Sequence, residues 1–432
     1  MHEAVPGLRV IRPALLLTVL GALLAVSNTN RAVVRRAINL PAFRATLAYF
    51  GWATLTVPFA IWQAQAFTSF QSLIPITLVM LLILLCPPTA ATLDRLQLGL
   101  VAACVATAVA SIVIGNSIDG RLSGFGSFDP NDLAGVMALS LPFALGLLVR
   151  GKGLVKLLGG AGAVVLVLTL TRTASRGGFI AVAVAVTLFV LGQPGTRKGL
   201  LILLTVIAAA ITWQTGPQSF RDRIGSLLGG EEDYNYTDYG GRKQIWKRGI
   251  GYAVSNPVLG VGVGNFGEAE GRACRKIFPS GCHWTAPHNA YVQAAAELGF
   301  PGLILFIVVL TVTVRTAWPY WRPATAARAG GRSRHRPELL ASMAGFCASA
   351  VFLSHAYFYL LFVLIAYVAL TAVAMESGVP GAIAGHVPFL VHEPAWGTRG
   401  GVRPTVARTA ALPPAAPPRP RAGRRGGLSL GA

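Results

Sequence analysis

The chain has 432 residues, of which 53% are hydrophobic and only 12% charged, and its net charge is +21. A soluble domain carries about a quarter charged residues, so these figures exclude an ordinary soluble enzyme and indicate an all-α polytopic membrane protein. The excess of arginine lies in loops and tail, as the positive-inside rule requires, which argues against nucleic-acid binding.

Apolar runs fall in chain order at residues 8–27, 45–62, 71–87, 97–115, 132–149, 154–171, 177–192, 198–214, 299–316, 339–353 and 356–375. Each approaches the roughly 20 residues that cross a bilayer, giving an expectation of about 11–12 transmembrane helices. The first run is either a retained helix or the apolar part of a signal peptide. A retained helix is preferred, because further spans follow and no small-x-small cleavage site stands out. The last two runs read as a hairpin turning through Ser354 and His355.

Arg31, Arg35, Arg36 and Arg44 precede the second run, Arg150, Lys152 and Lys156 separate the fifth from the sixth, and Arg315, Arg322, Arg328, Arg332, Arg334 and Arg336 follow the ninth. The alternation of spans places all three groups on one side, the expected cytoplasmic side. The other side then receives residues 115–132, the turn at 171–178 and one large extracytoplasmic loop, 215–288, expected to hold short helices. Four regions result: N-terminal transmembrane helices 1–114, a core 115–316 that includes the loop, C-terminal transmembrane helices 317–376, and a basic Pro/Ala/Arg-rich tail 377–432. The tail cannot bury a core and reads as disordered.

The loop holds seven of the sixteen acids, among them Asp222, Glu268 and Glu270. Its end reads "PHNAYVQAAAELGFPG" (287–302). Pro287, His288 and Asn289 are expected in a first helical turn, whose free N–H groups and positive dipole suit a phosphate. His288 is the natural proton acceptor near neutral pH. Asn289, Gln293 and Glu297, spaced by four, form one polar stripe, either facing a site or facing water. "GFPG" is expected to kink the helix at 299–302.

Arg172, Ser175 and Arg176 occupy the turn at 171–178, on the side that the positive-inside trend leaves poor in arginine. They either grip phosphate bidentately or snorkel to lipid. Arg242, Lys243, Trp246 and Lys247 share adjoining faces of a helix ending near Asn256. Gly260, Gly262 and Gly264 lack the Gly-Lys-Ser/Thr of a nucleotide loop and read as tight turns. Asp129 or Asn131 suits a helix cap before Pro130. Cys274 and Cys282 are eight residues apart and either bridge or remain free thiols. No histidine–cysteine spacing makes a metal site.

Together "GSFDPNDLAGVMALSLPFAL" (126–145), "SRGG" (175–178), "GRKQIWKRGIGYAVSNPVLGVGVGNF" (241–266) and "PHNAYVQAAAELGFPGLILF" (287–306) resemble the O-antigen ligase / Wzy-type polymerase superfamily. The resemblance covers residues 115–316. It implies a multi-pass protein of the bacterial cytoplasmic (inner) membrane with its site on the extracytoplasmic face. Such an enzyme transfers a glycan from an undecaprenyl-pyrophosphate carrier to an acceptor on a glycan, lipid or protein. It implies no metal and no cofactor. By position His288 would be the catalytic histidine, Arg176 and Arg242 would hold pyrophosphate with Arg172 as a helper, and Asn289 and Tyr291 would border the substrate. A lipid-linked glycan flippase and a non-catalytic scaffold are the competing classes.

Overall fold

The computed structural model describes residues 19–21, 23–24, 31–118, 120–124, 128–225, 239–278, 282, 284–322 and 335–376. The first expected span, apart from residues 19–21 and 23–24, lies outside them. So do Glu231, Glu232, Asp233, Asp238, Arg328, Arg332, Arg334 and the tail from 377.

The described chain is helical apart from turns and one antiparallel pair, β1 (Ser117–Ile118) with β2 (Arg121–Leu122). Before the large loop come α1 (Arg31–Asn39), α2 (Pro41–Leu55), α3 (Gln63–Leu85), α4 (Ala90–Ile114), α5 (Pro130–Arg150), α6 (Gly153–Thr173), α7 (Arg176–Leu191) and α8 (Gly195–Thr215). The loop holds three short helices, α9 (Gln218–Gly225), α10 (Arg242–Ser255) and α11 (Phe266–Ile277). After it run α12 (Ala290–Ala317), α13 (Pro337–Ala350) and α14 (Tyr359–Glu376). Among the described residues seven helices are long and apolar enough to cross a membrane, and α7 is apolar but shorter. This is an all-α polytopic membrane protein.

The helices alternate between two ends of a bundle. At one end the large loop meets the short connections. Ile61 N donates to Val261 O at 3.1 Å, and Val263 N donates to Thr56 Oγ1 at 3.1 Å. At the other end Arg150 pairs with Glu338, Arg336 Nη2 donates to Asp94 Oδ1 at 3.0 Å, and Trp321 Nε1 donates to Leu188 O at 2.8 Å. Arg150 and Arg336, two of the basic residues that sequence analysis assigned to the cytoplasmic side, sit at this second end.

Burial separates core from rim. Most residues of α5 and of α14 are buried, whereas none of the apolar window of α8 is buried. Leu200, Leu203, Val206 and Ile207 of α8 are exposed. In a bilayer such a rim faces lipid tails, and contact between helices then depends on close packing rather than on a hydrophobic gain. The pairing of α5 with α7 uses a small residue in this way: a Cβ on Gly178 would stand 2.4 Å from the Ala134 Cβ.

The loop is seated by glycine. Gly260, Gly262 and Gly264 have φ of 63°, 97° and 70°. A Cβ on Gly262 would stand 2.2 Å from that of Ala60, and one on Gly260 2.4 Å from the Glu297 carbonyl carbon. The tight-turn reading of these glycines therefore describes them, since only glycine combines this backbone with this approach. Opposite them α12 kinks at Gly299 (φ 68°), two residues before Pro301. The opened turn is satisfied from outside the helix: Trp52 Nε1 donates to Leu298 O at 2.9 Å, and Phe300 N donates to Pro257 O at 2.8 Å.

Candidate functional site

The site is built where four connections meet at the loop end of the bundle. The first is the start of α5. Asp129 caps it, its carboxylate accepting from Asn131 N at 2.6 Å and Asp132 N at 2.8 Å, with Pro130 in the first turn. Pro130 has no N–H to satisfy there, so the arrangement is favourable. Capping by Asp129 releases Asn131 for other work. Its side-chain oxygen accepts from Ser175 Oγ at 2.8 Å and from Arg121 Nη2 at 2.8 Å.

Those two bonds bring in the second connection, the turn from α6 to α7. Arg121 Nε also donates to Thr173 O at 2.9 Å. Ser175 caps α7 by accepting from Gly178 N at 3.2 Å. Arg172 lies exposed in the last turn of α6 and Arg176 is the first residue of α7, so both flank the turn.

The third connection comes from the loop. Arg242 opens α10, and Trp246 on the same helix donates to Pro287 O at 2.9 Å. His288 follows in left-handed backbone (φ 47°), and its N–H donates to Ser354 Oγ at 2.9 Å. Ser354 belongs to the fourth connection, residues 351–358 between α13 and α14. Among the described residues the non-glycine residues with positive φ are Ala174 and His288, one in each of two connections that meet here. Such backbone costs about 1–3 kcal/mol per residue and persists where surrounding structure enforces it, commonly at functional sites.

One expectation about this segment needs correction, and one open alternative is decided. His288 and Asn289 do not lie in the first helical turn. Asn289 is the N-cap of α12, its side-chain oxygen accepting from Tyr291 N at 2.9 Å and Val292 N at 3.0 Å, and His288 precedes it. Capping by asparagine outcompetes helix propensity at this position. Nor does the polar stripe face water. Asn289, Gln293 and Glu297 are all buried. Gln293 Oε1 accepts from Ala356 N at 3.2 Å, and the Glu297 carboxylate accepts from Gly264 N at 2.9 Å and Phe266 N at 3.3 Å. The stripe fastens the loop and the 351–358 connection to α12. Tyr291 turns away from His288, its hydroxyl donating to Cys347 O on α13 at 3.2 Å.

The charges around His288 are mixed. Burial lowers its pKa below the usual histidine value, and the nearby Arg242 guanidinium lowers it further, while Asp129 and Asp132 pull it back up. At neutral pH the ring is therefore uncharged and able to accept a proton. Arg172, Arg176, Arg242 and His288 thus all lie on connections that meet at one end of the bundle.

Asp132, Ser354 and His355 join them, with His355 Nε2 3.0 Å from Asp132 Oδ1. Sequence reasoning noted these residues only as span edges and a turn. Their one local signal was a Ser-His pair in an apolar hairpin on the loop side. Among the described residues no group of three or more His, Cys, Asp or Glu is arranged to hold a metal ion.

The loop has its own polar core. The Arg248 guanidinium grips the Glu270 carboxylate with Nη2–Oε2 at 2.6 Å, and Tyr252 Oη donates to Glu270 Oε1 at 2.8 Å. Cys274 and Cys282 are joined in a disulfide, their Cα atoms 5.7 Å apart, shortly before His288.

Residues 161–307 match the family model described as O-antigen ligase. That stretch includes Arg172, Arg176, Arg242 and His288. The exopolysaccharide production protein ExoQ of Rhizobium meliloti (strain 1021) is 28% identical over 239 residues, 49% of this chain and 52% of that protein. The chain is thus similar to the O-antigen ligase/Wzy-type superfamily over these residues. The chain spans about half the length of the curated relative it matches. A solved structure described as "Structural coordination of polymerization and crosslinking by a peptidoglycan synthase complex" aligns over 78% of this chain and 97% of its own. Its identity is 15% and its TM-score 0.41, too distant to carry an argument.

Proposed function

We propose that this protein belongs to the O-antigen ligase/Wzy-type superfamily and is a membrane glycosyltransferase of ligase or polymerase type. It moves a glycan from an undecaprenyl-pyrophosphate carrier to an acceptor hydroxyl or amine at the outer face of the cytoplasmic membrane. The observation that carries the reading is His288, half-buried, held in left-handed backbone, and under the influence of the Arg242 charge and those of Asp129 and Asp132. In the proposed reaction the acceptor oxygen attacks the anomeric carbon. His288 takes the hydroxyl proton, and the bond from that carbon to the pyrophosphate oxygen breaks with inversion. Arg242 and Arg176, aided by Arg172, neutralise the departing pyrophosphate, so guanidinium charge supplies the stabilisation and the scheme needs no metal or cofactor. The lipid-anchored donor approaches from the bilayer and the acceptor from the aqueous side.

A deletion strain complemented with wild type or His288→Ala, with surface glycans sized on a gel, tests this. His288→Ala should insert normally and lower transfer by about 10²- to 10⁴-fold, the usual contribution of a general base. Single repeats left without long chains would identify a polymerase, and long chains stranded on the lipid carrier a ligase. An unchanged glycan pattern in the variant would remove His288 from the mechanism.

A further inference from the structure

Asp132 stands at the joint of the site, and the scheme above gives it no task. Its neighbour Asn131 is tied to Ser175, beside Arg176. Its own Oδ1 lies 3.0 Å from His355 Nε2, and Ser354, beside His355, holds the His288 backbone. The carboxylate therefore sits between the arginine turn and the histidine segment.

The two partners of this pair differ in access. The Asp132 side chain is 32% exposed and that of His355 only 5%. The imidazole is stacked on Phe358, ring centroids 4.0 Å apart and planes 6° from parallel, with Phe346 beyond at 6.4 Å. Its Nδ1 is buried without a hydrogen-bond partner. A carboxylate only accepts, so Nε2 donates the hydrogen bond to Asp132. Such an orphaned, immobilised ring has one evident duty, to fix Asp132. Among the described residues Asp132 Oδ2 makes no hydrogen bond or ion pair. One oxygen is locked and the other is left for a ligand.

We propose that Asp132 is the acceptor-binding carboxylate of this site, its Oδ2 accepting a hydrogen bond from a hydroxyl of a polyhydroxylated acceptor, with His355 as its positioning residue. The inference rests on the glycan-transfer reading above. The sign of charge decides which substrate it takes. A carboxylate repels a pyrophosphate, which belongs with Arg176 and Arg242, and it favours a neutral polyol whose O–H groups donate. His288 is faced by Arg242 from α10 and by Asp129 and Asp132 from α5. An acceptor lying on Asp132 is thereby held close to the histidine.

The full-length protein in lipid is assayed with a polyprenyl-pyrophosphate-linked oligosaccharide as donor and the free oligosaccharide of the same repeat as acceptor. Asp132→Asn keeps the side-chain shape and leaves the Asp129 cap untouched. It should raise the acceptor KM about ten- to a hundredfold, the worth of a hydrogen bond to a charged group, with donor KM within about twofold. His355→Ala reads the same parameter through a second residue and should move it in the same direction. His355→Gln retains an N–H for Asp132 and should recover most of the wild-type value. Equal rises in both KM values, or a fall in kcat with acceptor KM unchanged, would overturn the assignment alone. A wild-type protein that forms no glycosidic bond overturns the glycan-transfer reading and this assignment with it.

Discussion

His288 combines several unusual properties: it is half-buried, its backbone is left-handed, and it lies near a cation. Each has a separate origin. Asn289 takes over the capping of α12, Ser354 and Trp246 hold the segment, and Arg242 arrives on α10 from the loop. A pH prediction follows from the electrostatics. The base form of His288 is lost as pH falls through its pKa, which lies below the usual 6.5. Arg242→Gln removes a like charge and so raises that pKa. The acid limb of the rate–pH profile should move to higher pH, whatever happens to the absolute rate. A limb that stays in place, or moves down, would show that Arg242 does not act on the histidine. His288 and the three arginines could be named from local pattern, since polar or basic residues at the mouths of apolar runs stand out. Asp132 and His355 could not, because they are 223 residues apart and nothing in either neighbourhood announces the other.

The elements carrying these residues were legible in differing degrees. Hydropathy located the spans, and the expected break at 299–302 is the Gly299 kink in α12. The start of α12 was misplaced because an asparagine cap and a histidine in the first turn look alike in sequence. The polar stripe was ambiguous for a related reason: periodicity shows which residues share a face and not what the face meets. Here it meets the 257–266 segment and Ala356. The loop is thus docked through backbone–carboxylate bonds and glycine turns rather than through a broad apolar surface. Gly262→Ala tests this, since it places a Cβ on Ala60 in a φ of 97°. It should loosen the seat by about 1–3 kcal/mol or more. Limited proteolysis of full-length protein should then cut residues 216–289 faster than in wild type. Wild-type resistance would mean that the turn bears little of the docking.

Across the whole molecule the two ends of the bundle do different work. The loop end gathers Arg176, Arg242, His288 and Asp132, the groups of the proposed site. The opposite end closes its charges on themselves: Glu338 is fully buried, grips Arg150, and sits 3.9 Å from Arg336, which also reaches Asp94 and Tyr367. These bonds tie α4, α5, α13 and α14 together. Breaking a buried pair from one side leaves charge uncompensated, at about 3–5 kcal/mol. Glu338→Ala should therefore lower the heat-denaturation midpoint in detergent by several degrees without shifting the pH profile of transfer. An unchanged midpoint would show that the network is dispensable. Hydropathy was enough to establish a polytopic helical chain and to set the large polar loop apart from its spans, because membrane insertion reads apolar length segment by segment. Which polar residues are buried, which of them pair across the bundle, and that His288 meets Asp132, Ser354 and Arg242 were decided only by tertiary packing, because contacts between residues far apart in sequence leave no periodic trace in it.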